Sequence, residues 1–144
     1  MMIKLNRAST AIFVQLIDKL DIKKINVIHV PEQTTLVIEE LHNLILPEGT
    51  GKLYSIAQYH PEVLPVTDER RMHFIMIDKR VYASEWHLVN VYPALYFNKA
   101  TSIIEESAII SNQIVFRYSP DLQKKHCNQA CIWFLELHYA GLLQ

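Results

Sequence analysis

Two apolar runs separated by a charged, proline-bearing stretch constrain this chain more than anything else in it. LYSIAQYH (53–60) and MHFIMID (72–78) are each of strand length and rich in aromatic and β-branched residues. Between them, PEVLPVTDERR (61–71) carries Pro61 and Pro65, several acids and the pair Arg70–Arg71. Proline donates no ladder hydrogen bond and so does not belong in a central strand. The segment therefore reads strand, loop, strand. His60, Asp68, Glu69, Arg70, Arg71 and His73 gather there, the densest group of histidine, acid and arginine in the chain.

The flanking sequence supplies the remaining elements. Phe13, Leu16, Ile17 and Leu20 recur at helical spacing, widened by Ile12, and predict a first helix near 10–20 capped by Asn6 or Ser9. A β-branched run over 25–30 reads as a strand, and so does the start of 34–46, whose second part either continues or bends. Pro47-Glu48-Gly49-Thr50-Gly51 predicts a hairpin into the strand at Leu53. Strand signals continue in 81–97, where Pro93 predicts a break or an edge, then around 103–110 and in 113–118. Ser119-Pro120 opens a closing helix to about Ala140, with Gly141 as its stop. The stripe expected to face inward on that helix is Cys127, Ala130, Cys131, Phe134 and His138. Helix, strands, helix predicts a single α+β domain over 1–144: an antiparallel sheet of about five or six strands with both helices on it.

Size and composition restrict function. The 144 residues suit one domain with a substantial core. A net charge of −1, from 14 basic and 15 acidic residues, argues against a broad nucleic-acid footprint. Cys127 and Cys131 alone make no disulfide framework. No secretory leader or membrane-length apolar run is read, which predicts a cytoplasmic protein with reduced, buried, metal-free thiols. Gly51-Lys52 does not begin a phosphate loop: Leu46 stands where the first glycine is needed, and Leu53 follows the lysine. No cofactor motif is read, and G-x-S-x-G is absent.

LVIEEL (36–41), YSIAQYH (54–60), RMHF (71–74) and NQACIWFLEL (128–137) together resemble a small bacterial domain family of unknown function, common on plasmids, phages and other mobile elements. The resemblance implies the fold and a mobile-element context, and no activity. The chain departs from the family's polar central loop. It has Val63-Leu64-Pro65 and Glu69-Arg70-Arg71 where members carry acid and Asn-Gly-Asp motifs, and Gln58 where they carry histidine.

These observations predict a non-enzymatic binding or accessory protein. Its contact surface would be the 60–71 loop and the adjoining sheet edge: Tyr59, His60, Asp68, Glu69, Arg70, Arg71 and His73, with Arg70 and Tyr59 foremost. Tyrosine and arginine are the residue types that anchor protein interfaces. The expected partner is a protein, with a homodimer compatible, and neither nucleic acid nor membrane. One alternative is a small metal-dependent enzyme in which His60 and His73 meet across the hairpin beside Asp68 and Glu69. Another is a nucleic-acid-associated protein using Arg70, Arg71, Lys79 and Arg80. Solvated turn residues are the ordinary explanation of both clusters.

Overall fold

The computed structural model describes residues 1–20, 22–29, 34–60 and 68–141. The prolines of the central loop, Pro61 and Pro65, lie outside them. Helix α1 (Arg7–Ile17) begins where Asn6 Oδ1 accepts the Ser9 N–H at 2.8 Å. Helix α2 (Pro120–Tyr139) begins where Ser119 Oγ accepts the Leu122 N–H, with Pro120 at the first turn. It ends at Gly141, whose φ of +78° is the left-handed conformation that stops a helix without a Cβ penalty. No helix among the described residues is long and apolar enough to cross a membrane.

Among the described residues eight strands lie between the helices, more than the five or six expected: β1 (Ile25–His29), β2 (Thr35–Leu46), β3 (Gly49–Tyr59), β4 (Asp68–Asp78), β5 (Val89–Asn98), β6 (Ile103–Glu106), β7 (Ala108–Ser111) and β8 (Ile114–Tyr118). Their order is β6-β5-β4-β3-β2-β8-β7, with β1 also on β2. All pairings are antiparallel except one parallel bridge, Ile45 to Ile114 between β2 and β8. The additional strands come from dividing one stretch. β6 pairs with β5 and β7 with β8, and Ser107 is the single residue between them. The sheet thus curls back until its last strands lie under its middle. Pro93 does not break β5 but lies in its edge portion, where β4 is the one paired strand among the described residues because β6 pairs only with Leu95–Asn98. It sits inside β5 where the register with β4 shifts between His73 and Phe74, a bulge that tolerates a missing N–H.

Each face of the sheet is covered over half its length. On one face, α1 and α2 pack over Leu36, Ile38, Tyr54, Ile56, Met72, Phe74 and Val91. On the other, β7 and β8 supply Ala108, Ile110 and Val115 against Leu44, Leu46, Leu53, Ile75, Ile77 and Tyr92, toward the opposite end of the strands. Two open areas remain, diagonally placed: one at the 57–59/68–71 end of the hairpin-side face, the other at the turn end of the helix-side face.

The inward face of α2 is rotated from the expected stripe. Gln123, His126, Ala130, Trp133, Phe134 and Leu137 are buried. Cys127 and Cys131 are half-buried free thiols, and His138 is exposed. Burial raises the Cys127 thiol to about 11, so the expectation of two fully buried cysteines holds only in its direction. The stripe failed because hydrophobicity cannot identify polar residues that enter a core with their partners. His126 Nδ1 lies 2.9 Å from Ser107 Oγ, its Nε2 lies 3.2 Å from Glu105, and Gln123 Nε2 donates to the Pro93 carbonyl.

Gly51 is required for close approach between strands. A Cβ there would lie 2.7 Å from Leu46 Cδ1 and 3.0 Å from the Met76 carbonyl oxygen. The leucine can rotate but the backbone oxygen cannot. Gly51→Ala is expected to lower stability by about 1–3 kcal/mol, read as a drop in the urea midpoint at unchanged slope.

Candidate functional site

The hairpin-side face carries the expected residues, and strand register determines which of them meet. Cross-strand partners share a face. One row therefore runs Val27, Val37, Ala57, Arg71, Phe97, Ile104 across β1, β2, β3, β4, β5 and β6. The next row is Ile25, Glu39, Ser55, His73, Leu95, Glu106. At about 4.8 Å per strand the rows are roughly 24 Å long. The first row's ends are apolar and open: Val27 is 45% and Ile104 68% exposed.

Arg71 stands at the middle, held from three sides. Its Nε donates to Asp68 Oδ2 at 2.6 Å, its Nη2 to the Tyr59 hydroxyl at 3.4 Å, and its Nη1 to Ser55 Oγ at 3.5 Å. Burial opposes the guanidinium charge, but the bond to Asp68 and that carboxylate's charge outweigh it, so the Arg71 pKa is raised. Beside it His73 is largely buried, and its Nε2 has no hydrogen-bond partner among the described residues. Burial first, then the charges of Arg71 and His42, push the ring's pKa down to about 4, so His73 is neutral near pH 7.

Arg70 is elsewhere. It lies on the helix side, its guanidinium 5.4 Å from the Trp133 ring centroid and 3.2 Å from Glu136. Its neighbour Gln58, where the resembled family carries histidine, accepts the Trp133 indole N–H at 2.9 Å. Both residues dock α2; of the two residues expected foremost, Tyr59 stands beside Arg71 on the hairpin side and Arg70 lies on the helix side. Strand alternation puts Arg70 with Met72 and Phe74 on the helix side and Arg71 with His73 on the other. A bulge brings Asp68 to the Arg71 face: Tyr59 pairs with Asp68 but Gln58 with Arg70, so Glu69 is extra, its carbonyl accepting the Lys99 N–H. His60 lies just beyond the end of β3.

Of the residues in the metal and nucleic-acid alternatives, Asp68, Arg70, Arg71 and Arg80 are ion-paired. Among the described residues no group of three His, Cys, Asp or Glu side chains is placed to hold a metal ion. Asp68, one of the acids of that reading, is ion-paired with Arg71. Arg80 spends all five N–H groups. Nε bonds Asp78, Nη1 bonds Asp18 and the Ala83 carbonyl, and Nη2 bonds both aspartates. Of the four cations in the phosphate reading, Arg70, Arg71 and Arg80 are thus paired with carboxylates.

A hydroxyl–imidazole–carboxylate series that sequence reasoning did not find connects Ser107, His126 and Glu105. Ser107 is 1% and His126 0% exposed, so no substrate reaches the hydroxyl. The Ser107 hydroxyl is also 3.1 Å from the Pro93 carbonyl. The series joins the Ser107 corner to α2, and its function is architectural. No family model, curated protein or solved structure matches the chain.

Proposed function

We propose that this chain is a non-enzymatic binding module, a cytoplasmic accessory protein of a mobile element, that docks a protein partner on the open hairpin-side face. The observation that carries the reading is the row from Val27 to Ile104, with apolar side chains at its ends and Arg71 fixed at its centre. An arginine immobilised before binding loses little further side-chain entropy when a partner covers it. Tyr59 beside it offers a large contact area with few rotors. The charge on this face speaks against nucleic acid. Glu39, Asp68 and Glu106 contribute −3 and Arg71 +1, leaving −2 with His73 neutral.

The test is capture of partners from the native host by the tagged chain, beside Arg71→Ala, Ile104→Asp and Arg70→Ala, with light scattering to follow self-association. Arg71→Ala and Ile104→Asp are each expected to weaken capture, or self-association if the partner is a second copy, by at least about tenfold, the loss typical of a central interface residue. Arg70→Ala acts on α2 docking and leaves capture in place. The proposal falls if Arg71→Ala and Ile104→Asp capture the same proteins as the parent, or if no protein is captured and the chain is monomeric.

A further inference from the structure

The second open area, on the helix-side face where α1 ends, forms a cavity of about 540 Å³, the size of small-molecule sites in general. We propose that it binds a neutral, polyhydroxylated ligand of mono- or disaccharide class. It is separate from the docking face and does not depend on it.

The argument begins with charge. One wall is Asp18, Asp78 and Arg80, joined by bonds of 2.8–3.0 Å and carrying −1 in sum. The other is Lys52, bonded to Glu40, which is bonded in turn to Lys24, carrying +1 in sum. The site is therefore neutral overall. Its acids and amines are ion-paired within each wall, so they offer a ligand hydrogen-bonding positions while the cavity as a whole carries no net charge to neutralise. The Arg80 guanidinium has no N–H left for a phosphate or carboxylate. The aspartates retain unused lone pairs, and their side chains are 44% and 37% exposed.

The wall is also preorganised. Arg80, with a side chain only 10% exposed, holds the two carboxylates from different elements, the end of α1 and the end of β4, in one arrangement. Between the walls stands Tyr54, itself 5% exposed, its hydroxyl-bearing ring packed edge-on against Phe13. Thr50 adds a second hydroxyl on the same strand face, and Ile17 and Met76 supply apolar floor. Alternating acceptors and donors around apolar carbon is the complement of a sugar, whose hydroxyls ring a C–H face. A small anion would find no free guanidinium N–H here and would face the two exposed carboxylates.

Amide NMR titration of the full chain tests this, with glucose, galactose, maltose and lactose as probes, and glycine and inorganic phosphate as charged comparators. At least one saccharide is expected to shift the amides of Thr50, Lys52, Tyr54 and Asp78 saturably, with Kd of about 1 mM. Tyr54→Phe keeps the ring packing and Thr50→Ala is on the surface, so both variants fold. Each is expected to weaken that binding by about fivefold, the loss of one neutral hydrogen bond. The proposal is overturned if none of the four saccharides shifts these amides, if glycine or phosphate binds there in their place, or if both variants bind as the parent does.

Discussion

Phe74→Ala is expected to cost about 3–5 kcal/mol, a large part of the roughly 5–15 kcal/mol that holds a domain together. Phe74 is fully buried on β4, its ring centroid 5.2 Å from that of Phe13 on α1 and 5.6 Å from that of Phe134 on α2. It is the side chain through which both helices grip the sheet. Truncation removes the transfer free energy of the ring, leaves a cavity between three elements that cannot collapse together, and loses two aromatic contacts. Urea unfolding should show the midpoint fall at unchanged slope. Phe116→Ala, at a ring 73% exposed on β8, should stay within about 0.5 kcal/mol of the parent. Equal losses at the two positions would mean that the helices do not share this anchor.

The second large effect is with pH. The folded protein holds His73 at about 4, below its ordinary value of 6.5, because the ring is buried and Arg71 and His42 add positive charge nearby. Between these values the unfolded chain binds a proton that the folded chain refuses. The stability due to neutral His73 is therefore complete above about 6.5 and is lost as pH falls toward 4. The full shift corresponds to about 3 kcal/mol and, with part of the residue near solvent, about 2–3 kcal/mol is expected. His126, also shifted down by burial although Glu105 opposes it, adds a smaller loss of the same sign. Urea midpoints from pH 7 to 4.5 measure the loss, and His73→Gln should remove most of it. A His73→Gln protein with the parent's pH dependence would show that the ring takes up its proton freely in the fold.

Local rules made much of the architecture legible. Asn6 and Ser119 cap the helices where a side-chain acceptor precedes an apolar period. The 47–51 turn joins β2 to β3, and the two apolar runs are adjacent central strands. The strand count was not legible, because β6, β7 and β8 are half exposed and divided at Ser107, a residue with no turn signal. The candidate site divides in the same way. Tyr59, Asp68 and Arg71, three of the residues singled out, are close in sequence across one loop and meet. That Asp68 shares the face of Arg71, while Arg70 turns to Trp133, needs one bulged residue at Glu69, which no composition rule detects. The Asp18–Arg80 contact spans 62 positions and belongs to tertiary structure alone.

The corner at Ser107 has a consequence for the order of assembly. β2, β3, β4 and β5 are neighbours in both sequence and space, so each of their pairings closes a short loop. β8 reaches β2 through the bridge from Ile45 to Ile114 and the Ile45 N–H bond to Gln113, across nearly half the chain. The four-strand meander is thus the unit able to form early, and the β7–β8 flap closes over it late. Until it does, Leu44, Ile75 and Ile77 form an uncovered apolar face. The same flap, tied to β2 by one bridge, is the region most readily opened in the folded protein. Misassembly of this protein would therefore begin on that face, at the stage when Ser107 has not yet turned the chain.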